Sequence, residues 1–135
     1  MANTSVTVLT VDDQAVFRRA VGDLIAATPG FEQVGQAASG AEALEMADAL
    51  NPDLVLLDVR MGDMDGIETA QRLQESGCEA VLVLISLNEV PEAASAVGGG
   101  VAAHVRKQEL STRTLRELWA AHGSFTADDG PDAEA

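Results

Sequence analysis

The chain has 135 residues, the length of one domain that can bury roughly two-thirds of its unfolded surface without disulfide or metal staples. Hydrophobic residues make up 47% and aromatics only 3%, with no tyrosine, so a core must be built from Val, Leu, Ile and Ala. A net charge of −14, from 22 acids against 8 bases, argues against direct nucleic-acid binding, which needs a basic footprint; it suits a divalent cation, a basic partner surface or solubility alone.

Cys78 is the single cysteine, so no internal disulfide can form. No apolar run approaches the roughly 18 residues that span a bilayer. The opening MANTSV has no basic region followed by an apolar one, as a secretory leader would. The expectation is a cytoplasmic protein with no membrane partner.

Val6-Thr7-Val8-Leu9-Thr10-Val11 is β-branched and apolar and reads as a first strand, followed by Asp12-Asp13. Val16, Phe17, Ala20, Val21, Leu24 and Ile25 then recur at helical spacing, up to Pro29-Gly30. Residues 31–37 suit a short second strand. Ser39 is placed to cap a second helix, with Glu42 completing a capping box. Its apolar side carries Ala43, Leu44, Met46, Ala47 and Leu50, and Asn51-Pro52 ends it. Leu54-Val55-Leu56-Leu57 is a third strand, apolar on both faces, that runs into Asp58 and a Gly- and acid-rich loop. Ile67, Ala70 and Leu73 mark a third helix ending near Gly77. Residues 80–85 form a fourth buried strand. Residues 89–97 suit a fourth helix, weakened by Gly98-Gly99-Gly100. Val101 to Val105 is a fifth strand, and Ser111 can cap a last helix bearing Leu115, Leu118 and Trp119. The closing residues are acidic and poor in apolar groups, as in a disordered tail.

Five continuous apolar strands alternating with amphipathic helices imply an α/β fold whose parallel sheet is covered on both faces. Right-handed crossovers then favour a flavodoxin-like, doubly wound (βα)5 sheet of order 2-1-3-4-5. The expected boundaries are a folded domain over 1–124 and an acidic tail over 125–135. In such sheets the functional crevice lies beyond the carboxyl ends of the strands, between strands 1 and 3.

Asp12 and Asp13 fall at the end of strand 1, Asp58 at the end of strand 3, Ser86 at the end of strand 4, and Lys107 just past strand 5. Each has an ordinary reading alone: a turn or helix cap for the acids, a local turn for the serine, a solvated surface for the lysine. Together they converge on one edge. Clustered carboxylates repel one another, and Mg2+ would relieve that with one or two carboxylates, a carbonyl and retained waters. Phosphoryl transfer needs mainly positioning and charge neutralisation. In that chemistry Asp58 is the nucleophile, Lys107 a point charge for a phosphate oxygen, and Ser86 a hydroxyl donor to a second oxygen.

The stretches VTVLTVDD, LVLLDVRMGDMDG, VLVLIS and HVRK resemble a response-regulator receiver domain of two-component signalling, over about Val6 to Leu118. The segment FRRAVGDLIAATPGFEQVGQAASGAEALEMADALNPDLVLLD is similar to NarL/FixJ-type receivers. The resemblance implies phosphorylation of Asp58 by a sensor histidine kinase. It implies a Mg2+ site of Asp13, Asp58 and the Arg60 backbone carbonyl, with Asp12 acting through water. It makes Ser86 the switch hydroxyl and Lys107 the phosphate-binding lysine. The output face would join the fourth helix, the fifth strand and the last helix, and a homodimer through that face is a family expectation. Such a domain is a signalling module rather than an enzyme with turnover.

Several positions depart from the family pattern. Gly62 stands where Pro is usual, which predicts a looser loop. Leu87 follows the switch hydroxyl where a small residue is common, and is expected to crowd the phosphoryl group. Arg60 and Asn88 occupy positions that tune dephosphorylation; Arg60 equally suits a pair with a nearby acid. His104 replaces the aromatic of the switch, Gln108 replaces a proline of many receivers, and EVPEAASAVGGG is short and Gly-rich for the fourth helix.

These departures leave a second reading, a phosphorylation-independent docking module with the same fold. A haloacid-dehalogenase-type phosphatase would need an Asp where Arg60 stands. A nucleotide-binding domain would need a glycine-rich loop where Asp12-Asp13-Gln14 stands. NarL/FixJ-type receivers usually precede a DNA-binding helix-turn-helix, for which the 16 residues after Trp119 are too few and too polar. The expectation is a single-domain regulator or a receiver cut at its linker.

Overall fold

A computed structural model describes residues 5–62, 64–87 and 101–123. Strand β1 spans Val6–Val11, helix α1 Ala15–Ala26, β2 Phe31–Ala37, α2 Gly40–Leu50, β3 Leu54–Asp58, α3 Gly66–Glu75, β4 Val81–Ser86, β5 Val101–Arg106 and α4 Thr112–His122. A short 3-10 turn, Lys107–Glu109, joins β5 to α4. The five strands are parallel in the order β2-β1-β3-β4-β5, as the sequence predicts. The fourth helix expected over 89–97 and the tail expected over 125–135 lie outside the described residues.

Alternation of side chains along each strand divides the core in two. On one face Leu9, Val11, Val55, Leu57, Leu82 and Leu84 pack with Ala43 and Ala47 of α2 and Ala70 and Leu73 of α3. On the other, Val8, Leu54, Leu56, Val83 and Ile85 pack with Val21 and Ile25 of α1 and Leu115 and Leu118 of α4. β3 is the central strand of the sheet, and all five of its residues are buried. That is why LVLL shows no polar alternation.

The helix ends follow local chemistry. Ser39 caps α2 by accepting a hydrogen bond from the Glu42 N–H at 3.1 Å. Glu42 reaches back to the Ala38 N–H at 2.6 Å, one residue before the partner that a standard capping box predicts. Ser111 caps α4 through the Thr114 N–H at 3.1 Å. Asp65 caps α3 through the Glu68 N–H at 2.8 Å, a start signal hidden in the acid-rich loop. Asn51 ends α2 in the left-handed region at φ 49°, and Pro52 prevents its continuation.

Candidate functional site

Sheet register assembles the site. Val11 of β1 pairs with Leu57 of β3, so the next residues, Asp12 and Asp58, emerge side by side. Asp58 pairs with Ile85, and Ser86 pairs with Arg106, which puts Ser86 and Lys107 at the same carboxyl edge. Both Asp58 and Ser86 close their strands, one residue later than the sequence suggests.

Asp12 is fully buried and ties the edge together. Its N–H donates to the Ala37 carbonyl at 3.0 Å, and its carbonyl accepts from Arg18 Nη1 at 2.6 Å. Its Oδ1 accepts from the Gln14 N–H at 2.8 Å, which closes a turn just before α1. The turn role of this acid is therefore real, yet it uses only one carboxylate oxygen. The other, Oδ2, lies 2.8 Å from the Lys107 ammonium but has no hydrogen bond of good direction. Lys107 is 9% exposed and stands 3.7 Å from Asp58 Oδ1. Its Nζ also lies 4.2 Å from the centroid of the Phe17 ring.

Asp58 is 7% exposed. Its Oδ1 accepts a long hydrogen bond, 3.4 Å, from the Arg60 N–H. Carboxylate oxygens of Asp12, Asp13 and Asp58 all lie within 4.8 Å of one another, with Asp13 exposed. Burial, with repulsion from Asp12 and Asp13, pushes the Asp58 carboxyl up from 3.8 to about 6; Lys107 and the Arg60 N–H pull the other way. Three carboxylates facing one lysine leave a surplus of negative charge, and an all-oxygen donor set of this kind fits a hard divalent cation.

Gly66 holds the loop after β3 against the strand. Its N–H donates to the Val59 carbonyl at 2.8 Å. A Cβ there would overlap the Asp58 carbonyl oxygen and lie 2.9 Å from Val59 Cα. At Gly62 a Cβ would meet, among the described residues, only Asp13 Oδ2, at 4.0 Å.

The remaining predicted positions are less central. Leu87 is 62% exposed. His104 is exposed on β5, opposite Leu84. Arg60 is exposed, and its guanidinium pairs with no acid among the described residues. Gln108 lies in the 3-10 turn, and no cis peptide occurs among the described residues. Asn88 lies outside the described residues. Sequence reasoning missed Arg18, Phe17 and Gly66 as parts of the site. Phe17 and Gly66 carried no signal beyond helix and loop positions, and Arg18 none at all.

A parallel 2-1-3-4-5 sheet with an acid triad and a lysine at its carboxyl edge defines a receiver fold. The chain belongs to the response regulator receiver domain family, whose pattern matches residues 8–119. It is of the NarL-like type. The nitrate/nitrite response regulator protein NarL of Escherichia coli is 34% identical over 116 residues, covering 85% of this chain and 54% of that protein. The signal receiver domain of the putative response regulator NarL from Mycobacterium tuberculosis superposes with a TM-score of 0.73 at 31% identity, covering 84% of this chain and 96% of that one. A protein-glutamate methylesterase/protein-glutamine glutaminase of a Nocardioides species is 39% identical over 105 residues, covering 76% of this chain but 29% of that protein. The chain thus spans about half or less of these full-length relatives. Receiver domains are signalling domains of two-component systems; they typically bind Mg2+ and interact with histidine kinases. No helix among the described residues is long and apolar enough to cross a membrane.

Proposed function

We propose that this chain is a phosphorylatable receiver in which Asp58 accepts a phosphoryl group from a sensor histidine kinase. The observation that carries the reading is the convergence of three carboxylates and one lysine at the edge where β1 and β3 meet. Asp58 attacks phosphorus through a carboxylate oxygen. The phosphorus–nitrogen bond to the kinase histidine breaks as the new phosphorus–oxygen bond forms, and the imidazole leaves. Asp12, Asp13, Asp58 and the Arg60 carbonyl would hold Mg2+. Once bound, the ion supplies charge neutralisation for carboxylates and phosphoryl oxygens. Lys107 neutralises one phosphoryl oxygen, and Ser86 donates its hydroxyl to another.

The phosphorylated state redistributes the population between two conformations of the face around β5 and α4, with His104, Leu87, Asn88 and Arg60 tuning the response. A homodimer through this face belongs to the same reading. So do a folded unit over 1–124 followed by a tail over 125–135, and a cytoplasmic setting.

The test is a titration with Mg2+ and then beryllofluoride, followed by two-dimensional amide NMR. Mg2+ is expected to shift Asp13, Asp58 and Arg60. Beryllofluoride is expected to extend the shifts to Ser86, His104 and Lys107, and to do so only in protein that retains Asp58. A spectrum unmoved by both additions sinks the phosphoacceptor reading and leaves a docking module of receiver fold.

A further inference from the structure

We infer that Phe17 is a positioning residue for the reaction at Asp58: its ring is the floor that holds the Lys107 ammonium over the acid cluster. The inference rests on the phosphoacceptor reading for its consequence, though the geometry stands apart from it. The chain has three phenylalanines and one tryptophan, so an aromatic face beside the site lysine is a scarce resource. The Lys107 Nζ lies 4.2 Å from the Phe17 centroid and 2.8 Å from Asp12 Oδ2. A cation at this distance is attracted by the ring's quadrupole, and more strongly where water is excluded.

Phe17 is itself held firmly. It lies in the first turn of α1 and packs against the core layer of Val21, Ile25 and Leu115. The next residue, Arg18, donates to the Asp12 carbonyl at 2.6 Å, and Gln14 donates to Asp12 Oδ1 at 2.8 Å. Asp12 therefore fixes the helix start that carries the ring, and the same side chain holds the ammonium that the ring faces. An aliphatic side chain at position 17 would fill the core layer but offer no electrostatic attraction to the lysine. The ammonium would then be held only by the carboxylates, Asp12 at 2.8 Å and Asp58 at 3.7 Å.

The experiment compares wild type with Phe17→Leu, Phe17→Tyr and Ile25→Val. NMR of isotope-labelled protein reads the Lys107 ε-methylene protons, and beryllofluoride affinity is measured in saturating Mg2+. In wild type those protons should be shifted upfield by the ring and inequivalent, as expected of a fixed side chain. Phe17→Leu should abolish both signatures and weaken beryllofluoride by about tenfold. Phe17→Tyr should restore both, because it returns the ring. Ile25→Val, in the same helix and core layer, should lower stability without moving either readout.

Unshifted, equivalent ε-methylene protons in wild type overturn the inference. So does a Phe17→Leu protein that binds beryllofluoride as tightly as wild type, or a Phe17→Tyr protein that is not rescued. If wild type itself fails to bind beryllofluoride, the phosphoacceptor reading falls. The proton shifts alone then decide whether Phe17 positions Lys107.

Discussion

Replacing Asp58 by Asn should stabilise the protein at neutral pH, and the gain should disappear in acid. Asp58 is nearly buried beside two other carboxylates, so folding raises its affinity for a proton from 3.8 to about 6. A group whose folded value is raised in this way binds more protons in the native state than in the unfolded one. Stability therefore falls as pH climbs from about 4 to about 6, and the full penalty is present above that window. At 1.36 kcal/mol per tenfold change in proton affinity, the penalty is about 3 kcal/mol. Asn removes the charge while keeping the shape. Urea unfolding of wild type and Asp58→Asn at pH 7.5 and pH 4, without Mg2+, should give a difference of about 1 to 3 kcal/mol at the higher pH and little at the lower. Mg2+ at pH 7.5 should shrink the difference by stabilising wild type. An Asn variant no more stable than wild type at pH 7.5, or a gain equal at both pH values, would refute the electrostatic account.

Gly66→Ala pushes a methyl group into the backbone of Asp58 and Val59, and should cost about 1 to 3 kcal/mol, read as a lower thermal midpoint; an unchanged midpoint would show that the loop yields freely. Lys107→Met leaves the buried Asp12 without its ion-pair partner. It should lower stability without metal by about 3 kcal/mol or more, yet tighten Mg2+ by about tenfold because a competing positive charge is gone. Weaker Mg2+ binding by calorimetry would contradict that. Leu87→Ala should change unfolding free energy by less than about 0.5 kcal/mol, since the side chain is mostly in water; a larger loss would mean that Leu87 packs against something in solution. Asp12→Asn should bring the Asp58 titration midpoint, followed by carboxyl carbon NMR, down from about 6, because a principal repulsion is removed. A midpoint that stays or rises would remove Asp12 from the causes.

The fold was legible because burial on both faces writes itself into the strands as unbroken apolar runs. LVLLD and VLVLIS can hardly be anything but central strands, and their order follows from handed crossovers. The site was legible because polar residues that terminate such runs must share an edge. What stayed hidden depends on side-chain reach rather than on position along the chain. Spacing says that Lys107 is near the acids, but not that it sits closer to Asp12 than to Asp58. Gly66 looks like any loop glycine until the α3 start is seen pressed on the β3 backbone. Phe17 reads as core, because helical periodicity cannot distinguish a ring that only packs on the core from a half-buried ring that also faces a cation.

Asp12 shows why the acids at this edge cannot be sorted into structural and chemical groups. Its Oδ1 and its carbonyl set the start of α1, and its Oδ2 holds the lysine. The division has a chemical use. A lysine 2.8 Å from Asp12 and 3.7 Å from Asp58 keeps positive charge near the nucleophile without tying up its oxygen. Under the proposed reading, a phosphoryl group on Asp58 brings more negative charge than the carboxylate it replaces. The ammonium then has a stronger partner within reach and need not cross solvent to meet it. The raised proton affinity of Asp58 records its burial first and the repulsion from Asp12 and Asp13 second, while the Lys107 ammonium rests closer to Asp12. A fold that placed the lysine on Asp58 instead would relieve that strain and blunt the nucleophile.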